Sequence, residues 1–207
     1  MSDELKLDTP EQREAAARAA RTSAATLGLL EELLTSSSRS KRQKAAATLS
    51  LAAKAEPAAV EPVLGAVLDA LAMPGNQTRW ECLNILCARA AAGLMSADDA
   101  YDAAEEALFD ESSGIVREAA FRLLCLSGSA GPEASERVWP LIDEAIQCHH
   151  GNGEFNDMLT SLAAFAESGL APEVAQELAA RMEFDSKNAR GTLRMRSQQI
   201  VEACTGK

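Results

Sequence analysis

The chain is poor in aromatic residues: two Trp, one Tyr and five Phe make up 4% of 207 residues. Runs of β-branched residues are also scarce, whereas alanine and leucine, both strong helix formers, supply much of the 47% apolar content. An almost all-helical chain is expected. Basic residues are outnumbered, 20 against 31 acidic, for a net charge of −11. That balance opposes non-specific binding to nucleic acid and to anionic membrane surfaces. No apolar run reaches the roughly 18 residues that a membrane span needs. Met1 to Asp8 is acidic and polar, unlike a secretory signal.

Residues with catalytic or ligand chemistry are few. The five cysteines, Cys82, Cys87, Cys125, Cys148 and Cys204, are odd in number and lack short paired spacing, which argues against a disulfide framework. A reducing, cytoplasmic setting is the simplest expectation. Most sit in apolar helical runs, where a thiol behaves as a small hydrophobe. Cys87 and Cys125 fall in helix interiors with no histidine arranged to activate them. His149 and His150 are adjacent, so on a helix they point about 100° apart and do not readily share one metal. No further Cys or His cluster completes a closed zinc site, and a solvated pair at a helix end is expected. The acidic run Asp98, Asp99, Asp102, Glu105, Glu106, Asp110 and Glu111 lies on a helix rather than in a cation-binding loop, and reads as a solvated face. Neither a glycine-rich phosphate loop nor a di-iron motif occurs. No catalytic residue, cofactor or metal is assigned.

A ladder is present instead. Leu49, Leu86, Leu124, Leu162 and Ile200 recur at an almost constant interval of about 38 residues. A constant period of this length marks a repeat architecture, whose units bury their apolar faces only by stacking on one another. Ladder positions fall in a second helix of each repeat, over about 39–55, 76–93, 113–128, 152–168 and 187–204. Small or apolar residues stand four before it at Ala45, Cys82, Ala120 and Met158, on the same helical face. Cys87 and Cys125 each follow a ladder leucine directly, so they hold equivalent positions in adjacent repeats and are expected to pack. The fifth repeat carries Arg196 and Ser197 in the core columns, as a terminal repeat with one side toward water would. Arginines stand seven before the first three ladder leucines, at Arg42, Arg79 and Arg117. They are expected to bridge repeats or to neutralise loop carboxylates.

First helices fill the intervals, over about 57–72, 96–109, 132–149 and 172–184. Pro57, Pro132 and Pro172 open three of them, a position where proline's missing N–H costs nothing. Ser96 is an N-cap ahead of Asp98 and Asp99. Internal prolines at Pro62 and Pro140 should bend the helix or mark a second start. Asp8-Thr9-Pro10-Glu11 begins an N-terminal capping helix over about 9–35. Its end, with Leu27, Leu30 and Leu34, supplies the first helix of the first repeat, while Ala15 to Ala25 has little bulk to bury and is expected to pack loosely.

Asn76-Gln77-Thr78-Arg79 and Ile115-Val116-Arg117-Glu118-Ala119-Ala120, each leading into a leucine run, resemble the second helix of HEAT repeats. The internal prolines of the first helices resemble HEAT as well. The resemblance covers about residues 27–204. It implies one domain, an all-α, right-handed α-α superhelix of about five HEAT-like helix pairs, with repeats at about 27–55, 57–93, 96–128, 132–168 and 172–204. It also implies that second helices line the concave side and first helices the convex one. Charge separates the two sets: the first helices total −16 and the second +7. A mildly basic groove of that kind would attract an acidic peptide.

Six residues before the ladder stand Gln43, Trp80, Glu118, Asn156 and Arg194, a mostly polar and therefore solvent-facing column. Trp80 stands out there as a binding anchor with large area and a polar N–H. One turn on come Ala47, Asn84, Arg122, Thr160 and Gln198, on the same face. Trp80-Glu81-Cys82-Leu83-Asn84 looks like the Trp-x-x-x-Asn element of armadillo repeats. That likeness implies an asparagine bonded to a peptide backbone and a tryptophan packed on side-chain stems. The expected function is a non-catalytic scaffold binding a protein or peptide segment in the groove. The alternative is a HEAT-like DNA-binding protein or alkylbase DNA glycosylase, with Trp80, Glu118 and Arg122 at the lesion; the acidity and the two tryptophans tell against it.

Overall fold

In the computed structural model, residues 5–206 are described. They are mostly helical, with no strand among them. The chain divides into two compact units, Met1–Leu94 and Met95–Lys207.

The first unit opens with α1 (Pro10–Ala20) and α2 (Ala24–Leu34). Thr9 caps α1 through a reciprocal box with Gln12, and Ser23 caps α2 by accepting from the Thr26 N–H at 3.2 Å. The segment expected as one capping helix is therefore two. Part of the stretch expected to pack loosely does not: Ala16, Ala17 and Ala20 are buried where α1 packs with α3 (Arg39–Ala55), while Ala15, Ala19, Ala24 and Ala25 are exposed. Arg13 explains the placement. It stands seven before the fully buried Ala20 and donates to the Leu7 carbonyl at 3.0 Å, as Arg42 does to Ser36 at 2.9 Å. So α1 repeats the second-helix pattern, but Ala20 precedes Leu49 by less than one ladder period and is out of step with it.

A 3₁₀ helix, Pro57–Val63, leads into α4 (Leu64–Leu71), so Pro62 does mark a second start. It is followed by α5 (Asn76–Ala91), which packs on α3. The buried Arg89 of α5 ties the unit together: it donates to the carbonyls of Pro57 at 3.2 Å and Leu94 at 2.9 Å, and pairs with Glu61.

In the second unit α6 (Ala97–Leu108) packs with α7 (Gly114–Gly128), α8 (Pro132–His149) with both of them, α9 (Phe155–Ala166) with α7 and α11 (Gly191–Thr205), and α10 (Pro172–Asn188) with α11. Ser96 caps α6, accepting from the Asp99 N–H at 3.1 Å. Pro140 lies within an unbroken α8, on its exposed side, so it neither ends nor restarts that helix. Asp98 and Asp102 of the acidic run engage Arg137 of α8, whose guanidinium also lies 3.8 Å over the Tyr101 ring.

Every ladder residue is at most 1% exposed. The column three before the ladder is buried too, from Ala46, Leu83, Phe121 and Leu159 to Ser197, while Arg196, which ends the column four before it, is half-buried. Ser197 thus departs from the expected water-facing cap. Its hydroxyl donates to the Leu193 carbonyl at 2.8 Å, which lets a polar residue occupy a core column. The column arginines hold the turns between paired helices. Arg42 reaches the carbonyls of Ser36, Ser37 and Pro74, Arg79 that of Leu71, and Arg117 that of Asp110. Arg117 also makes an ion pair with Glu154 at 2.5 Å, with both side chains about 15% exposed or less. These arginines are architectural.

His149 corrects a second expectation. It is buried, with Nε2 2.8 Å from the Leu108 carbonyl, so only His150 is solvated, and that ring contacts Asp185 at 2.8 Å. The end of α6 needs a donor for its last carbonyls, and His149 supplies one.

Candidate functional site

Exposed positions on the second helices gather into two surfaces, one in each unit. On α5, Trp80 and Asn84 lie one turn apart and are half-buried, as is Gln43 on α3. The column six before the ladder is therefore only partly solvent-facing: Gln43, Trp80 and Glu118 are half-buried, whereas Asn156 and Arg194 are exposed. Gln198, one turn beyond Arg194 on α11, is exposed as well.

The second surface is concave. Between α7 and α9 lies a depression of about 320 Å³ lined by Glu118, Arg122, Asp157, Thr160 and Ser161. A second depression, of about 220 Å³, shares Arg122, Thr160 and Ser161 and continues past Cys125 and Leu126 to Ala164 and Phe165. One end of this trough is charged and hydroxylated, the other apolar. Three of the expected site residues, Glu118, Arg122 and Thr160, line it together. Asn156 does not, although its carbonyl accepts from the Thr160 hydroxyl at 3.4 Å.

Electrostatics at the charged end are dominated by Glu118. Its side chain is 15% exposed and lies 3.4 Å from Arg122, one turn along α7. Burial raises its carboxyl above the usual glutamate value; the Arg122 charge opposes that rise and the Asp157 charge adds to it. Two carboxylates therefore act on each other across a trough that holds one guanidinium. On α5, burial pushes the Cys82 thiol up to about 12, so it stays protonated and offers no nucleophile beside Trp80. Among the described residues no group of three or more His, Cys, Asp and Glu could hold a metal.

Column reading missed Asp157, Ser161, Leu126 and Ala164. All lie on columns next to those considered, and helical arithmetic links them: Asp157, Ser161 and Ala164 form an i, i+4, i+7 stripe on α9. The signal was present but masked, because Leu162 and its own columns dominate the periodicity of that helix.

No protein-family model and no curated protein sequence matches the chain. Solved structures do. A designed armadillo repeat protein in complex with the peptide (KR)4 superposes with a TM-score of 0.71 at 15% identity, covering 96% of each chain. An engineered protein superposes with a TM-score of 0.71 at 17% identity over 100% of both chains. The karyopherin Kap121p bound to the SUMO protease Ulp1p gives a TM-score of 0.75 at 18% identity; the match spans 98% of this chain and 22% of that one. The fold is that of HEAT and armadillo helical repeats.

Proposed function

We propose that this protein is a non-catalytic scaffold that binds a peptide or an extended protein segment on the face formed by its second helices. The observation that carries the proposal is the trough between α7 and α9, where Glu118, Arg122 and Thr160 meet. A concave, half-apolar surface with a few fixed polar groups suits an extended chain, whose alternate side chains point the same way. Structural likeness adds support, since a designed armadillo protein of this fold binds the peptide (KR)4 and Kap121p binds Ulp1p. On α5, Trp80 offers a flat apolar area and Asn84 amide hydrogen-bonding groups one turn away. In this reading they make the same kind of contact in the first unit.

Selection of a random-peptide display library on the immobilised full chain, followed by hydrogen-exchange footprinting of the best peptide, tests the proposal. Protection confined to α3, α5, α7, α9 and α11 is the expected result. Failure to select any peptide, or protection of the first helices instead, would refute it. Trp80→Ala should weaken peptides that footprint on α5 by about tenfold, a loss of roughly 1.4 kcal/mol at an aromatic anchor.

A further inference from the structure

Summed over whole helices, the second-helix face is basic. Locally, the trough between α7 and α9 is not. Glu118 and Asp157 bring two negative charges to its polar end against the single positive charge of Arg122, which already lies 3.4 Å from Glu118. Glu118 is largely desolvated by the fold, so its charge is poorly screened by water. The excess of one carboxylate thus sits in a concave site, where an incoming cation gains more than it would at a flat surface. The hydroxyls of Thr160 and Ser161 line the same end and present acceptor lone pairs to an ammonium or guanidinium.

The other end is apolar, with half-buried Leu126 and exposed Ala164 at its rim. From the Glu118–Asp157 end to Leu126 on α7 and Ala164 on α9 the helices rise by about 11 Å. In an extended chain, side chains four residues apart face the same way and are separated by about 13 Å. The two distances are close enough for one chain to fill both ends.

Resting on the peptide-binding reading above, we infer that the trough receives a Lys or Arg side chain between Glu118 and Asp157, and an aliphatic side chain four residues away on Leu126 and Ala164. The partner is thus a basic–x–x–x–aliphatic segment, opposite in charge to the acidic peptide that the whole-face sum suggests. An acidic segment would bring a third carboxylate beside two others and would have to compete with Glu118 for Arg122.

The test is a parallel peptide-display selection on the full wild-type chain and on a Glu118→Gln/Asp157→Asn variant, with circular dichroism melts to verify that both are folded. Wild type should enrich Lys or Arg with an aliphatic residue four positions away, and the double variant should lose that enrichment. Should Glu118→Gln disturb folding, Asp157→Asn alone serves, because Asp157 is exposed. For one selected fluorescein-labelled peptide, replacing its basic residue by Glu should lower affinity at least about tenfold in anisotropy titrations. Peptides that bind the second helices without the basic–x–x–x–aliphatic pattern would overturn this inference and leave the scaffold reading intact. So would a pattern that persists on the variant. A selection that yields no peptide overturns both.

Discussion

The two compact units share one ladder and fill their cores differently. In the first, α1 and α3 meet over alanines: Ala16, Ala17 and Ala20 on one, Ala45, Ala46, Ala52 and Ala53 on the other, all buried. In the second, α7 and α9 bury Phe121, Leu123, Phe155, Met158, Leu159 and Phe165. The α1–α3 contact therefore rests on small side chains, with arginines tied to turn carbonyls, and the α7–α9 contact on larger ones beside the half-buried Arg117–Glu154 pair, while both units bury leucines at the ladder. A leucine period fixes which helix face is inside, but not how far apart the helices stand. The α7–α9 pair leaves a trough on its outer side.

The largest expected contrast lies in the arginine column. Arg117→Ala strands Glu154 in a mostly buried setting and should cost about 3–5 kcal/mol in urea unfolding, the range for breaking a buried pair. Arg42→Ala removes only bonds to carbonyls and should cost about 1.5–3 kcal/mol. Equal losses would erase the distinction between the units. Next come the glycines, one in each unit. A Cβ at Gly128 would lie 2.5 Å from Val138 Cγ2 and 2.8 Å from Phe165 Cε2, so Gly128→Ala should destabilise by about 1–3 kcal/mol. At Gly28, inside α2, a Cβ meets nothing within 4 Å, and Gly28→Ala should stabilise by about 0.5–1 kcal/mol. Thermal melts with opposite shifts are the expected outcome; shifts of the same sign would show that packing at one of these positions differs from that described.

The smallest effect concerns pH. Glu118 has its carboxyl pKa raised by burial, so folding favours the protonated form. Sign follows directly: stability falls as pH climbs from the ordinary glutamate value of 4.5 through the raised folded value. Glu118→Gln should therefore gain on wild type as pH rises across that window, measured by urea unfolding at about pH 4 and about pH 7. A constant difference at both pH values would contradict the desolvation of Glu118.

Most of the fold was legible because the ladder reports burial directly: Leu49, Leu86, Leu124, Leu162 and Ile200 all lie in the core. The α1 helix was not, since its counterpart of the ladder is the small Ala20, which stands closer to Leu49 than one ladder period. Arg13 was the readable sign, seven before Ala20 as Arg42 is before Leu49. His149 and Ser197 escaped for another reason. His149 is accommodated by the Leu108 carbonyl of another segment, and Ser197 by the Leu193 carbonyl one turn back in α11, neither of which a core column reports. On the site, the columns named Glu118, Arg122 and Thr160, which line one trough in the structure. They could not show that Asp157 joins them, because the sign of a surface depends on which charges converge, and helix totals add charges that point apart.

The most direct test of second-helix binding compares two charge reversals of equal size. Asp157→Lys lies at the trough on α9, and Glu105→Lys lies on the exposed side of α6, a first helix. With a display-selected peptide and anisotropy at fixed ionic strength, Asp157→Lys should change affinity by about tenfold or more, and Glu105→Lys by no more than about twofold. Equal responses at the two positions, or a larger one at Glu105, would contradict binding on the second helices.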